Sequence, residues 1–279
     1  MLSATGACGG EPALDFSRTP VVFVHGHGMS PDDWGDMIQH LSKAGYPSQY
    51  LSAVSIRPNV LGNIEAAESA IAPAIEKLLE NASEFARRSG HSGALPKRVD
   101  IVSHSMGAVS SRWYAARIAP ERVRIWISLG GANHGTNVLC AYDDDGAVEM
   151  CPAFAVDRGR NAVQFMLNGT GDAPVDETPW GLGPDAPGTP TIVPDEERQI
   201  AWFTLRIEPD KWIEPSASAI LDGAGVGQSL RANRHFKETS QGNLLLLTPV
   251  SHDDMPRDGV VIRIVEMLLR QNVASNDKA

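Results

Sequence analysis

The hydrophobic positions of this chain fall into short continuous runs that alternate with longer segments of helical periodicity. A continuous apolar run bounded by turn-forming residues is typical of a strand buried on both faces. Five such runs predict strands at 20–24, 98–102, 122–129, 201–207 and 244–247. Because strands and helices alternate, the pattern predicts an α/β fold, with helices on both faces of a mostly parallel central sheet.

Between these runs, apolar residues recur every three or four positions, as expected for amphipathic helices. Ser30 is predicted to cap the first helix, with Pro31 in its first turn, and Gly45 to end it. The longest helical pattern covers 63–88 and contains Pro73, which predicts a kink or two shorter helices. Further helices are predicted at 108–119, 163–167 and 260–269.

The same pattern divides the chain into a leader, one domain and an insert. Residues 1–19 are predicted to form an N-terminal leader, and residues 20–279 a single α/β domain. Periodicity fails from about 131 to 199, where a long stretch is rich in Gly, Pro, Asp and Thr. Long loop-rich segments in compact chains are usually functional, so we expect a lid or a substrate wall at 131–199.

Composition and charge exclude two classes of function. The chain has 279 residues and a formal net charge of −10 at pH 7. Lys and Arg do not cluster, so the positive surface that nucleic acids require is missing. The longest apolar runs are far shorter than the about 20 residues that span a bilayer. We therefore expect neither a nucleic-acid partner nor an integral membrane protein.

Three cysteines are too few for a scaffold built on disulfides, and their spacing matches no zinc motif. Cys140 and Cys151 flank a loop-like stretch, and we predict a disulfide between them, with two free thiols as the alternative. A bridge across so short a loop stabilises a fold by about 2–3 kcal/mol. No metal site is assigned.

The strongest chemical signal is a serine between a predicted buried strand and a helix. Ser105 has small residues two positions before and after it, Ser103 and Gly107. A nucleophile elbow needs this spacing because the chain turns sharply and strand and helix approach closely. Ser103 is a poorer candidate because Ile101, two positions before it, is bulky. Ser105 is the predicted nucleophile; an ordinary turn with helix-capping serines is the alternative.

A serine nucleophile requires a base and an orienting acid. In this architecture the acid and then the histidine follow the serine along the chain. Of the eight histidines, only His235 and His252 come late enough. His252 is preferred because it lies between the last predicted strand and the last helix. Asp210, at the tip of the turn after the fourth predicted strand, is the predicted acid, with Glu208 and Glu214 as alternatives.

The anionic oxygen of a tetrahedral intermediate requires two backbone N–H donors. Met106 follows the nucleophile directly, and His27 lies between two glycines in the loop after the first predicted strand. We predict that the N–H groups of His27 and Met106 form the oxyanion hole. The imidazoles of His25 and His104 are expected to brace these loops by hydrogen bonds.

Three segments resemble bacterial lipases of the α/β-hydrolase superfamily: VVFVHGHG at 21–28, VDIVSHSMGA at 99–108 and LGGANHGT at 129–136. The nearest kind is the small secreted class 2 triacylglycerol lipases, with extracellular polyhydroxybutyrate depolymerases more distant. The resemblance implies an α/β-hydrolase fold and the same five site residues. It departs at Ser103, where the family usually has Gly or Ala, and in the longer insert.

The resemblance also implies what the protein acts on and where. We expect a lipase or esterase that uses no cofactor and hydrolyses acylglycerols or other lipid esters, as small molecules or at an oil–water or polymer surface. A secreted or periplasmic location is expected, with a cytoplasmic one as the alternative. An aliphatic polyester depolymerase and an acyltransferase would use the same three side chains, and a non-catalytic binding module is a third alternative.

Overall fold

The computed structural model describes residues 14–152, 162–168, 179–181, 200–221, 223–225, 230 and 233–271, and within them seven strands form one sheet. The strand order is β2-β1-β3-β4-β5-β7-β6. The strands are β1 (Val21–Val24), β2 (Leu51–Val54), β3 (Val99–His104), β4 (Val123–Leu129), β5 (Ala201–Arg206), β6 (Phe236–Ser240) and β7 (Asn243–Leu246). All neighbouring strands are parallel except β6 and β7, which form an antiparallel hairpin. The predicted mostly parallel sheet is confirmed.

The two strands that the sequence pattern missed, β2 and β6, lie at the two edges of the sheet. Three of the four residues of β2 are only partly buried, and most residues of β6 are exposed. The five predicted strands all lie in the interior, where both faces are covered. Edge strands lack the continuous apolar run by which buried parallel strands are recognised.

Helices cover both faces of the sheet, as predicted. They are α1 (Gly35–Lys43), α2 (Asn63–Ala66), α3 (Ala72–Arg88), α4 (Met106–Trp113), α5 (Asp145–Val148), α6 (Ala162–Asn168) and α7 (Gly259–Leu269). Helices α1 and α7 pack with Val21 and Phe23 in one apolar core, whereas α3 and α4 pack with Val22 and Val24 in another. Alternate residues of β1 thus enter opposite cores, because side chains along a strand point to alternate faces.

The helix predicted over 63–88 is interrupted ahead of Pro73. Helix α2 is followed by a π turn, Ala67–Ile71, before α3 begins. Proline lacks an N–H, and its ring clashes with the carbonyl group four residues earlier, so a regular α-helical turn cannot precede it. The helix predicted at 108–119 begins two residues earlier, at Met106, and its last part is a second π turn, Tyr114–Ile118.

A buried arginine ties the insert to the helix behind the elbow. Arg112 of α4 is completely buried. Its guanidinium donates to the carbonyl oxygens of Asn133, Leu167 and Pro179 and to Asn168 Oδ1, at 2.9 to 3.1 Å. Three separate parts of the insert therefore converge on one side chain. The role of the insert as a lid or wall stays a prediction.

The predicted leader is described from residue 14 onward, and residues 1–13 lie outside the described part. Phe16 packs its ring against those of Tyr50, Phe85 and His91. None of the helices in the described ranges has the length and apolar character needed to cross a membrane.

Candidate active site

The turn between β3 and α4 places Ser105 in a strained backbone conformation. Its φ is +53° and its ψ −121°, and among the described residues it is the only one other than glycine with a positive φ. A Cβ makes this region unfavourable, and residues held there cluster at functional sites. The Ser105 N–H donates to the carbonyl oxygen of Leu129 at 3.0 Å. A nucleophile elbow has this strained strand–turn–helix geometry.

Gly107 shows why small residues must flank the elbow. A Cβ at this position would lie 2.5 Å from the carbonyl oxygens of both Val24 and His25. Helix α4 therefore packs directly against the end of β1. The loop after β1 also lies close to the serine, because a Cβ on Gly26 would lie 3.0 Å from the Cβ of Ser105.

The predicted base and acid are in direct contact. His252 Nδ1 and Asp210 Oδ2 are 2.8 Å apart, and their side chains are only 3% and 2% exposed. An ionised carboxylate can only accept, so Nδ1 carries the hydrogen and Nε2 is left as the basic nitrogen. Asp210 Oδ1 accepts from the N–H groups of Trp212 and Ile213 at 2.8 and 3.1 Å. These bonds fix the carboxylate in its orientation towards the imidazole.

Two contacts place His252 beside the elbow. Its carbonyl oxygen accepts a hydrogen bond from His104, the residue before Ser105, at 2.9 Å. A Cβ on Gly130, which follows the acceptor of the Ser105 N–H, would lie 3.0 Å from His252 Nδ1. In the described residues no hydrogen bond joins Ser105 Oγ to His252. Catalytic hydrogen bonds are often long until substrate binds.

Two buried histidines support the surrounding loops. Burial lowers the pKa of His104 well below its ordinary value of 6.5, and the nearby His252 lowers it further. The His104 ring is therefore neutral and donates to His252 through Nε2. Burial also lowers the pKa of His25, whose Nδ1 donates to the Gly26 carbonyl at 2.9 Å and whose Nε2 accepts from the Ile56 N–H at 3.3 Å. Both rings brace loops by hydrogen bonds, as expected from the sequence.

Of the two predicted oxyanion donors, Met106 directly follows Ser105 and His27 lies in the loop after β1. Met106 is the first residue of α4, so its N–H has no acceptor within the helix. In the described part of the chain, neither this N–H nor that of His27 is hydrogen-bonded. His27 follows Gly26, which lies against Ser105. Both groups are available to an oxygen atom of a substrate.

The alternative residues lie away from this arrangement. Glu208 pairs with Arg206 at 2.9 Å, and its side chain is 59% exposed. Glu214 is exposed, and His235 lies just before β6, with Nδ1 3.3 Å from the Thr248 hydroxyl. Of the three candidate acids, Asp210 is the one that contacts His252. Over the described ranges, no group of three or more His, Cys, Asp or Glu side chains is arranged to hold a metal ion.

Sequence reasoning predicted the loop between Cys140 and Cys151 and its bridge, but missed that this loop adjoins His27. Cys140 and Cys151 form a disulfide, with their Cα atoms 5.3 Å apart. Within the loop that they close, Asp144 Oδ1 lies 2.9 Å from His27 Nε2. The contact joins residues 117 positions apart in the chain, and no spacing rule connects a loop carboxylate with a histidine at that distance.

Comparison with known proteins gives the family. A family model for palmitoyl protein thioesterases matches residues 20–167, more than half of the 279 residues. The chain belongs to the palmitoyl protein thioesterase family. No curated protein sequence matches it. The family match covers β1, the elbow and much of the insert, and ends before the strand that leads to Asp210.

Solved structures show the fold of this family member over nearly its whole length. The mature form of the Bacillus licheniformis lipase BlEst2 has a TM-score of 0.57 at 17% identity, covering 93% of this chain and 96% of that one. Its propeptide form has a TM-score of 0.56 at 16% identity, covering 97% of this chain and 54% of that one. The predicted α/β-hydrolase fold is confirmed, whereas membership of the class 2 lipases stays a prediction.

Proposed function

We propose that this protein is a serine hydrolase that cleaves carboxylic esters of lipids through an acyl-enzyme intermediate. Ser105 is the nucleophile, His252 the general base and Asp210 the acid that orients it. The observation that carries the proposal is the buried 2.8 Å contact between His252 and Asp210 beside a serine with φ of +53°. Membership of a thioesterase family and the likeness to a lipase both favour hydrolysis of an acyl bond.

In the proposed reaction, His252 Nε2 takes the hydroxyl proton as Ser105 Oγ attacks the acyl carbonyl carbon. Asp210 accepts the hydrogen bond from Nδ1–H and stabilises the imidazolium without taking its proton. The N–H groups of His27 and Met106 bind the anionic oxygen of the tetrahedral intermediate. The leaving group departs with the proton from His252. Water then attacks the acyl-enzyme in the same way, which releases the carboxylic acid and restores the serine.

Two kinds of acyl bond are candidates for the bond that the protein cleaves. An oxygen ester of a lipid, such as an acylglycerol, is the substrate class that the sequence motifs favour. A fatty acyl thioester is the second, because the family model is that of palmitoyl protein thioesterases. The same residues serve both reactions, since the leaving group differs only in its alcohol oxygen or thiol sulfur. The disulfide supports a secreted or periplasmic location, because disulfides persist in oxidising compartments.

Hydrolysis of p-nitrophenyl esters of increasing chain length, and of palmitoyl-coenzyme A, tests the proposal. Ser105→Ala should lower kcat/KM by at least about 10³-fold, because the nucleophile is lost. Ser103→Ala is the matched control, since this hydroxyl lies on β3 and donates to the Ile127 carbonyl at 3.0 Å. Its activity should stay within a few-fold of wild type.

The ratio of ester to thioester hydrolysis at equal chain length decides between the two bonds. Acyl transfer to an added alcohol at high water activity would instead indicate an acyltransferase, and release of acids from a solid polyester a depolymerase. Full activity in a folded Ser105→Ala protein would contradict the proposal. So would a folded wild-type protein that hydrolyses none of these substrates and is not labelled at Ser105 by an organophosphonate.

A further inference from the structure

One loop contacts the residues of both proposed oxyanion donors. We call residues 140–151, closed by the Cys140–Cys151 bond, the disulfide loop. Its Asp144 lies 2.9 Å from the imidazole of His27. Its Gly146 packs on the side chain of Met106, where a Cβ would lie 2.7 Å from the sulfur. The two donors follow different strands, His27 after β1 and Met106 after β3, and the disulfide loop contacts both residues.

The backbone around His27 forms a turn, in which the Met29 N–H donates to the Gly26 carbonyl at 3.1 Å. Gly26 and Gly28 flank His27, and Gly28 has a φ of +70°. Glycine populates many backbone conformations, so the two glycines leave the orientation of the His27 peptide within this turn to be fixed by the contacts around it. The Gly28 N–H donates to the Asn59 carbonyl at 3.0 Å, which holds the far end of the loop. The contact between the His27 ring and Asp144 holds the residue whose N–H is the proposed donor.

Asp144 is itself held rigidly. Its Oδ1 accepts from the Ala147 N–H at 2.9 Å, so it is the N-cap of α5. At the other end of the loop, the carboxylate of Glu149 accepts from the Asn63 N–H at the start of α2. The disulfide between Cys140 and Cys151 closes the loop around both of these hydrogen bonds. A carboxylate fixed in this way can fix the group that it contacts.

We propose that Asp144 is a positioning residue, which orients the His27 N–H of the oxyanion hole by holding the His27 imidazole from the disulfide loop. The proposal rests on the function proposed above. Asp144 contacts the ring of His27 and acts on the reaction through that residue. The orientation of an oxyanion donor acts mainly on the transition state, because charge develops on the oxygen there. Loss of the contact should therefore lower kcat and leave KM nearly unchanged.

Two substitutions of Asp144 separate the effect of losing the His27 contact from the effect of losing the helix cap. Asp144→Ser keeps a capping oxygen for the Ala147 N–H, but its side chain is too short to reach the His27 ring. Asp144→Asn keeps an Oδ1 acceptor for both partners. We expect kcat to fall about 10- to 100-fold in Asp144→Ser, with KM within about two-fold, and to recover to within about three-fold in Asp144→Asn. Asp143→Ser, at the exposed neighbouring position, is the matched control and should leave both constants unchanged.

A double variant tests whether Asp144 acts through His27. His27→Ala removes the ring and keeps the backbone N–H. If the proposal is right, Asp144→Ser in the His27→Ala background lowers kcat no further. A further fall equal to that in the wild-type background would overturn the proposal, as would wild-type kcat in Asp144→Ser or an effect confined to KM.

A measurement without substrate separates this inference from the proposed function. The backbone amide resonance of His27 in a ¹H–¹⁵N spectrum should shift or broaden in Asp144→Ser and stay in place in Asp143→Ser. An unchanged His27 resonance in Asp144→Ser would overturn the positioning role, even in an active enzyme. An inactive wild type with a shifted His27 resonance would refute the proposed function and leave the positioning role of Asp144 supported.

Discussion

Four histidines converge at the candidate site, and their burial and partners give them different tasks. His252 has a carboxylate at Nδ1, which leaves Nε2 as a base. His104 and His25 are buried without that partner; burial lowers their pKa values and they support loops as neutral rings. His27 is proposed to contribute its backbone N–H, and its ring contacts Asp144. Residue type alone does not distinguish these tasks.

The lowered pKa of His104 predicts a pH dependence of stability. As pH falls below 6.5, an unfolded chain takes up a proton at this position, whereas the folded protein does not. Stability is therefore lost as pH falls from 6.5 towards the folded-state pKa. His104→Gln removes this titration and keeps a donor for the His252 carbonyl, so the variant should lose less stability between pH 7 and pH 5 than wild type.

Denaturant unfolding at the two pH values measures this effect. His235→Gln is the control for removing a histidine as such, because His235 lies partly exposed before β6. Equal losses of unfolding free energy in wild type and His104→Gln would contradict the prediction.

At the residue scale, chain order and local spacing predicted which residues approach one another, but not all of their contacts. The small residues around Ser105 predicted the elbow, and the order of acid and histidine selected Asp210 and His252, which the structure brings into contact. Their catalytic roles stay a prediction. The contact between Asp144 and His27 was beyond sequence reasoning because it depends on how the disulfide loop packs against the loop after β1.

At the scale of elements, hydrophobic runs predicted the strands that are covered on both faces of the sheet and missed the strands at its edges. The interior strands were found to within two residues at each end, and Pro73 predicted the break before α3. Strand β6 was missed because it pairs through its backbone at the sheet edge, and main-chain pairing leaves no apolar run in the sequence. The anchoring of the insert was missed because a single Arg on an amphipathic helix resembles a solvated charge.

The anchoring of the insert by Arg112 predicts a local response to its loss. Arg112→Met keeps an apolar side chain of similar length but removes the donors to the buried carbonyl groups of Leu167 and Pro179. The Asn133 carbonyl also loses this donor but keeps that of Asn168 Nδ2 at 2.8 Å. Unsatisfied buried acceptors are costly, and we expect destabilisation by about 3 kcal/mol. Amide hydrogen exchange in α6 should become at least about ten-fold faster, because the Leu167 carbonyl and the Asn168 side chain at its carboxyl-terminal end lose this partner.

Arg122→Met is the matched control, since this side chain is partly exposed and pairs with Glu76 on the surface. Exposed ion pairs contribute little to stability, so exchange in α6 should stay as in wild type. Unchanged exchange in Arg112→Met, or an equal increase in both variants, would contradict an anchoring role.

At the scale of the whole molecule, the residues of the candidate site all follow the carboxyl ends of strands of the sheet. The loop with His27 follows β1, Ser105 follows β3, Asp210 follows β5 and His252 follows β7. Because these strands are parallel, their carboxyl ends lie along the same end of the sheet, where α/β proteins bind ligands. The alternation of strands and helices was therefore sufficient to predict this convergence, although not the order of the strands in the sheet.

For the lipid substrates proposed above, the net charge of the whole chain predicts how the protein approaches a lipid surface. With a formal net charge of −10 at pH 7, the protein should be repelled by an anionic membrane and less so by a zwitterionic one. Raising the ionic strength from about 0.01 M to about 0.15 M shortens the screening length from about 30 Å to about 8 Å. Hydrolysis of an ester embedded in vesicles with added anionic phospholipid should therefore rise about three-fold or more over this range, and much less in zwitterionic vesicles.

A water-soluble short-chain ester is the control, because its hydrolysis requires no approach to a surface. Equal rates on the two kinds of vesicle at low salt would show that the charge is distributed away from the face that meets the lipid.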